Sequence, residues 1–182
     1  MRRQLVLAAG TAATALALGT AASASAATTV DTTTTFTVSG GGLAITAPAT
    51  KALGTGAAAD TIGGQMGDVT VTDSRAALGG TWTGSVSSSD FTNTTVTGAA
   101  VIAKANLSYW SGPATASTGT AVTTPGQANA GAAVTLATPR TAYSASATTG
   151  NNSTTWQPTL SLALPAQAIA GNYTGTITHS VA

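Results

Sequence analysis

Few side chains in this sequence can do acid–base, nucleophilic or metal chemistry. The 182 residues include one His, no Cys and five acids, all of them Asp. A Ser-His-Asp arrangement would rest on His179 alone. It would also need a nucleophile and an orienting acid converging on that ring, and no motif supplies them. The lack of Cys removes thiolate zinc sites, thiol nucleophiles and disulfides. Asp60, Asp68, Asp73 and Asp90 have the oxygen chemistry that Ca²⁺ requires, but D-x-D spacing is missing. Glycoside hydrolysis needs two carboxyls at a fixed separation, one with a raised pKa, and five Asp with no Glu are a poor basis for it. The expectation is a non-enzymatic protein without metal or cofactor.

The remaining side chains of interest suit recognition or packing. In a strand over 101–110, Tyr109 falls in phase with Leu107, while Trp110 falls with Lys104, Asn106 and Ser108 on the polar face. A Trp among amide and hydroxyl groups can stack on a sugar ring beside donors to its hydroxyls, so Trp110, Asn106 and Ser108 are ligand-binding candidates. The alternative is that the 111–132 excursion folds over Trp110. Trp156, shortly before Pro158, is either a loop platform or a lid on the core. Asp73 and Arg75, two apart in a strand, point to one side and read as a partly buried ion pair. Trp82 shares the phase of Val86, and His179 that of Tyr173, Ile177 and Val181, which places all of them toward a core.

Charge excludes other partners. The formal net charge is +1, and Lys51, Arg75, Lys104 and Arg140 are scattered singly, without the cluster that displaces counterions from phosphates. Nucleic acid is therefore not expected. Arg2 and Arg3 belong to a short basic start followed by the apolar run of residues 5–18 and the small-x-small pattern Ala24-Ser25-Ala26. That pattern reads as a signal peptide over 1–26. The apolar run is shorter than the roughly 20 residues a bilayer needs, so no membrane insertion is expected after cleavage. The mature chain, 27–182, would be secreted and either released or held non-covalently at the cell surface.

The elements that must position these side chains are strands. Thr, Ala, Gly and Ser dominate, and Thr fits a pleated, half-buried surface better than a helix. Period-two patterns recur at Phe36/Val38, Leu43/Ile45, Val69/Val71, Trp82/Gly84/Val86, residues 101–110, Leu160/Leu162/Leu164 and 173–181, with turn residues between them. Residues 50–67 read as a long loop or weak strand, and 111–132 as an irregular excursion. Eight or nine short strands so spaced predict one all-β domain, an Ig-like antiparallel β-sandwich. Its nearly charge-free edges have little protection against strand addition, so self-association is a second expectation.

Four stretches in order carry a resemblance: FTVSGGGLAITAP at 36–48, the run from Met66 to Arg75, Trp82, and LPAQAIAGNYTGTITHSV at 164–181. Together they resemble the WxL-domain family of secreted Gram-positive surface proteins, in the divergent form of high-GC species. Both W-x-L tripeptides are altered: Trp82-Thr83-Gly84 keeps the Trp, and His179-Ser180-Val181 has His and Val at the outer positions. The resemblance implies an extracellular β-sandwich held non-covalently at the cell wall through peptidoglycan or other surface glycan, or through other surface proteins. It makes Asp73, Arg75, Trp82, Tyr173 and His179 family-motif positions.

Overall fold

The computed structural model describes residues 30–96 and 100–182. The signal-peptide expectation, 1–26, lies outside them. Two units are distinguished, Met1–Thr37 and Val38–Ala182. In the first, the described residues 30–37 form no regular element. The expected pairing of Phe36 with Val38 in a strand does not occur: strand structure begins only at Leu43, after Gly40-Gly41-Gly42.

The second unit is all-β, and every strand pair in it is antiparallel. The largest sheet contains β1 (Leu43–Thr46), β3 (Val69–Ser88), β7 (Ala114–Pro125), β9 (Arg140–Trp156) and β12 (Ile177–Val181). Its order is β1-β3-β9-β7, with β12 sharing the β1 edge of β3 farther along that strand. A second sheet runs β2 (Thr61–Gln65), β10 (Thr159–Ala163), β6 (Leu107–Trp110) and β8 (Val134–Thr135). A third, small sheet joins β11 (Tyr173–Thr174), β4 (Phe91–Asn93) and β5 (Val101–Ile102). The helical content among the described residues is two 3₁₀ turns, Lys104–Asn106 and Ala130–Ala132.

One core joins the three sheets. Val69, Val71, Trp82 and Val86 of β3 meet Tyr143, Ala145 and Trp156 of β9, Leu107 and Tyr109 of β6, and Leu160 and Leu162 of β10. Period-two alternation turns these side chains inward and leaves Thr or Ser facing out. Tyr143 and Trp156 stack with ring centroids 4.9 Å apart and planes 28° from parallel. Burial of such large apolar surfaces is the main force holding the sheets together.

The 69–73 and 82–86 patterns belong to a single strand rather than two. Strands β3, β9 and β7 are long, and all three lose register at one level. There Ala76 (φ 53°), Gly79 (φ 70°), Gly119 (φ 72°), Ala147 (φ 52°) and Gly150 (φ 66°) take left-handed backbone. These bulges bend the sheet so that one continuous strand serves both halves of the core. Gly119 is required there, because a Cβ on it would collide with the Asn151 carbonyl.

Three other expectations change. The 111–132 excursion contains β7, which pairs with β9 along most of its length. Its first half is exposed from Thr115 to Thr120 and shows no inside–outside alternation, which appears only over Ala121–Pro125. Residues 50–67 contain a definite strand, β2, held against β10, where Gly63-Gly64 concealed the pattern. The strand expected over 101–110 is broken at Lys104–Asn106. Asp90 accepts the Lys104 N–H at 2.8 Å, and the Asn106 N–H returns to the Ala103 carbonyl at 2.9 Å.

Candidate functional site

The outer face of the β2-β10-β6-β8 sheet carries an uncharged set of hydrogen-bonding groups around one aromatic ring. Strand register puts Gln65, Thr159 and Trp110 in one row across three strands. The next row holds Gly63, Ser161, Ser108 and Thr135 across four. Leu160, Leu162, Leu107 and Tyr109 point the other way into the core, which fixes these neighbours outward. Strand spacing of about 4.8 Å and a two-residue repeat of about 6.8 Å set the spacing of the face. It offers hydroxyls, one amide and part of an indole ring, and none of these residues is charged.

Trp110 is half-buried, and its indole N–H is buried without a hydrogen-bond partner. The N–H is therefore not available at the surface, and what Trp110 exposes is other atoms of the residue. Ser108 lies one row away on the same face. Asn106 is the last residue of the 3₁₀ turn that precedes β6, outside the strand itself. Periodicity was extended there through Ala103-Lys104-Ala105, which has no β-branched side chain to hold a strand.

Trp156 is not a surface platform. It is 0% exposed, opposite Val69 on the inner side of the largest sheet. The alternation Asn152, Thr154, Trp156, Pro158, Leu160 runs inward without a break across the turn into β10. Its Nε1–H donates to the Tyr109 hydroxyl at 3.1 Å. The Tyr109 oxygen lies 3.2 Å from Nε2 of His179. This contact engages Nε2 of His179 and leaves Nδ1 as the other ring nitrogen. That Nδ1 is buried and makes no hydrogen bond. Burial holds the His179 pKa down to about 4 and pushes the Tyr109 hydroxyl well above its usual range. Both are therefore neutral near pH 7, linked to each other and to an indole.

Asp73 is 1% exposed and accepts from Arg75 twice, Nε to Oδ1 at 2.9 Å and Nη2 to Oδ2 at 2.8 Å. The Arg75 backbone N–H adds a third bond at 3.1 Å, and Nη2 also reaches the Thr81 carbonyl at 2.8 Å. The guanidinium holds the Asp73 carboxyl below its ordinary range against the opposing effect of burial. This pair sits where β3 leaves register with β9 and ties the two sides of the bulge together. Trp82 is buried across from Ala145, and Tyr173 is half-buried with its hydroxyl donating to the Ile169 carbonyl at 2.8 Å.

The other aspartates are dispersed. Asp60 accepts the Ala57 N–H, Asp68 accepts from Gln157, and Asp90 accepts the Lys104 N–H. Among the described residues no three His, Cys, Asp or Glu side chains converge on one point. Sequence periodicity alone did not reveal Gln65, Thr135, Thr159 and Ser161 as neighbours of Trp110, because their adjacency depends on strand pairing. No family model matches the chain, and no curated protein matches it.

Proposed function

We propose that this chain is a secreted, non-enzymatic β-sandwich module of the cell surface that contacts a neutral stretch of wall or surface glycan non-covalently. In this reading the two larger sheets form an Ig-like sandwich of the WxL type, and residues 1–26 are removed on export. The observation that carries it is Trp110 among Ser108, Thr159 and Gln65 on an uncharged outer sheet face. A sugar stacks its C–H surface on an indole ring and spends its hydroxyls on amide and hydroxyl neighbours. A charged ligand would find no counter-charge in those rows. The test is titration of the purified protein with soluble wall oligosaccharides, followed by calorimetry. Saturable binding weakened at least tenfold by Trp110→Ala and severalfold by Thr159→Ala supports the reading. Unchanged binding in both variants assigns the glycan to another surface.

A second reading has its own observation. Strand β7 is twelve residues long, contains no charged residue and pairs on one side only, with β9. Such an edge is a template for a second copy, although its bulges work against flat pairing. Self-association through β7 predicts a sedimentation coefficient that rises with concentration and a Ser117→Lys variant that stays monomeric. A concentration-independent monomer removes this reading.

A further inference from the structure

The groove between the 47–60 loop and the 168–176 segment is, we propose, a binding site for a single-chain amphiphile with an anionic head group. The second sheet ends at β2 and the third at β11, with no strand bridging them among the described residues. Inner side chains of both edges are therefore left facing a gap. Its volume is about 950 Å³, near the top of the range of about 300–1,000 Å³ that small-molecule sites occupy. The floor is the margin of the core itself: Ile62, Met66, Phe91, Ile102, Leu160 and Leu162. Glycines let the walls close on that floor. A Cβ on Gly56 would meet the Ile62 methyl at 2.6 Å, and one on Gly175 the Phe91 ring at 2.7 Å.

Polarity is divided between floor and rim. The threonines of the lining and Asn172 are solvent-exposed, while the half-buried Tyr173 spends its hydroxyl on the Ile169 carbonyl at 2.8 Å. Lys51, also exposed, is the one charged residue of the lining, and no carboxylate shares it. Asp60, at the end of the loop, turns its carboxylate to the Ala57 N–H at 2.7 Å. A sugar on this floor would leave hydroxyls unpaired, which is costly, and a cationic ligand would meet Lys51 with like charge. An alkyl chain on the floor with a carboxylate or phosphate monoester at Lys51 satisfies both ends.

The test is displacement of a fluorescent fatty-acid probe from the purified protein by dodecanoate, dodecyl phosphate and dodecanol, each below its aggregation threshold. The expected result is one-to-one binding that weakens roughly fourfold for each methylene removed from the chain. Lys51→Glu should weaken both anions about fivefold and change dodecanol less than twofold. Ala52→Trp, at an exposed position of the lining, should weaken all three. The tighter of the two anions identifies the head group. No saturable binding, equal response of anions and alcohol to Lys51→Glu, or full binding by Ala52→Trp each overturns the proposal. Both substitutions fall at exposed loop residues, and a native circular-dichroism spectrum confirms that loss of binding is not loss of fold.

Discussion

The Trp156 indole and the Tyr109 hydroxyl, from two different sheets, are hydrogen-bonded at 3.1 Å in the middle of the core. This contact fixes how the sheets sit against each other, because it is directional where the surrounding apolar packing is not. It also determines what His179 does. The phenol oxygen that accepts from Trp156 is also hydrogen-bonded to Nε2 of His179 at 3.2 Å. Replacing Tyr109 by Phe strips both neighbours of their partner inside a closed core. The expected loss is about 1–3 kcal/mol of unfolding free energy, read as a lower urea midpoint at unchanged slope.

His179 makes the fold sensitive to mild acid. Its folded pKa is about 4, below the ordinary 6.5, so the unfolded chain binds the proton more readily. Stability is therefore full above about pH 6.5, declines as pH falls toward 4, and has lost the whole contribution below that. A shift of this size is worth on the order of 3 kcal/mol. Urea unfolding at pH 7 and pH 4.5 should show the decline in the wild type, and His179→Gln should largely flatten it. A wild-type midpoint that does not move between those values contradicts the assignment of a neutral, partly buried His179.

Asp73 titrates in a separate window. Its folded pKa lies below the ordinary 3.8, so its contribution is present above that value and is lost as pH falls through the folded pKa. Arg75→Ala leaves a carboxylate that is 1% exposed without its guanidinium and should lower the unfolding midpoint, by less than breaking a fully buried pair would, because Arg75 is itself partly exposed. The double variant Asp73→Asn/Arg75→Ala should be less destabilised than the sum of the single ones. Chemical denaturation of the four proteins measures that coupling.

Gly119 tests the bend of the largest sheet. Its φ of 72° and the blocked Cβ position predict that Gly119→Ala destabilises by about 1–3 kcal/mol. Gly150, also left-handed but with open space at its Cβ, should tolerate Ala at smaller cost. Thermal unfolding of the two variants distinguishes them.

Much of the strand content was legible in the sequence, because a Thr-rich chain that buries one face must alternate. Val69/Val71, Trp82/Val86 and Leu160/Leu162 show it plainly. What was hidden depends on pairing. The edge strand β7 is exposed throughout 115–120 and alternates only near its end, and β2 is masked by two glycines. The extension of β9 through Trp156 is periodic, but with Pro158 two residues later the sequence allows either a loop platform or a lid on the core. On the candidate face, Trp110 and Ser108 followed from phase alone. Asn106 falls outside the strand because the chain turns at Lys104–Asn106, where Asp90, distant in sequence, accepts the Lys104 N–H. Gln65, Thr159 and Ser161 come from strands far apart in the chain, and only register makes them neighbours.

Co-sedimentation of the purified protein with washed cell walls, over a range of protein concentration and beside Trp110→Ala, tests the central claim most directly. The proposed glycan-contacting role predicts saturable pelleting that the Trp110→Ala variant loses while remaining folded. Absence of pelleting, or equal pelleting by the variant, contradicts it.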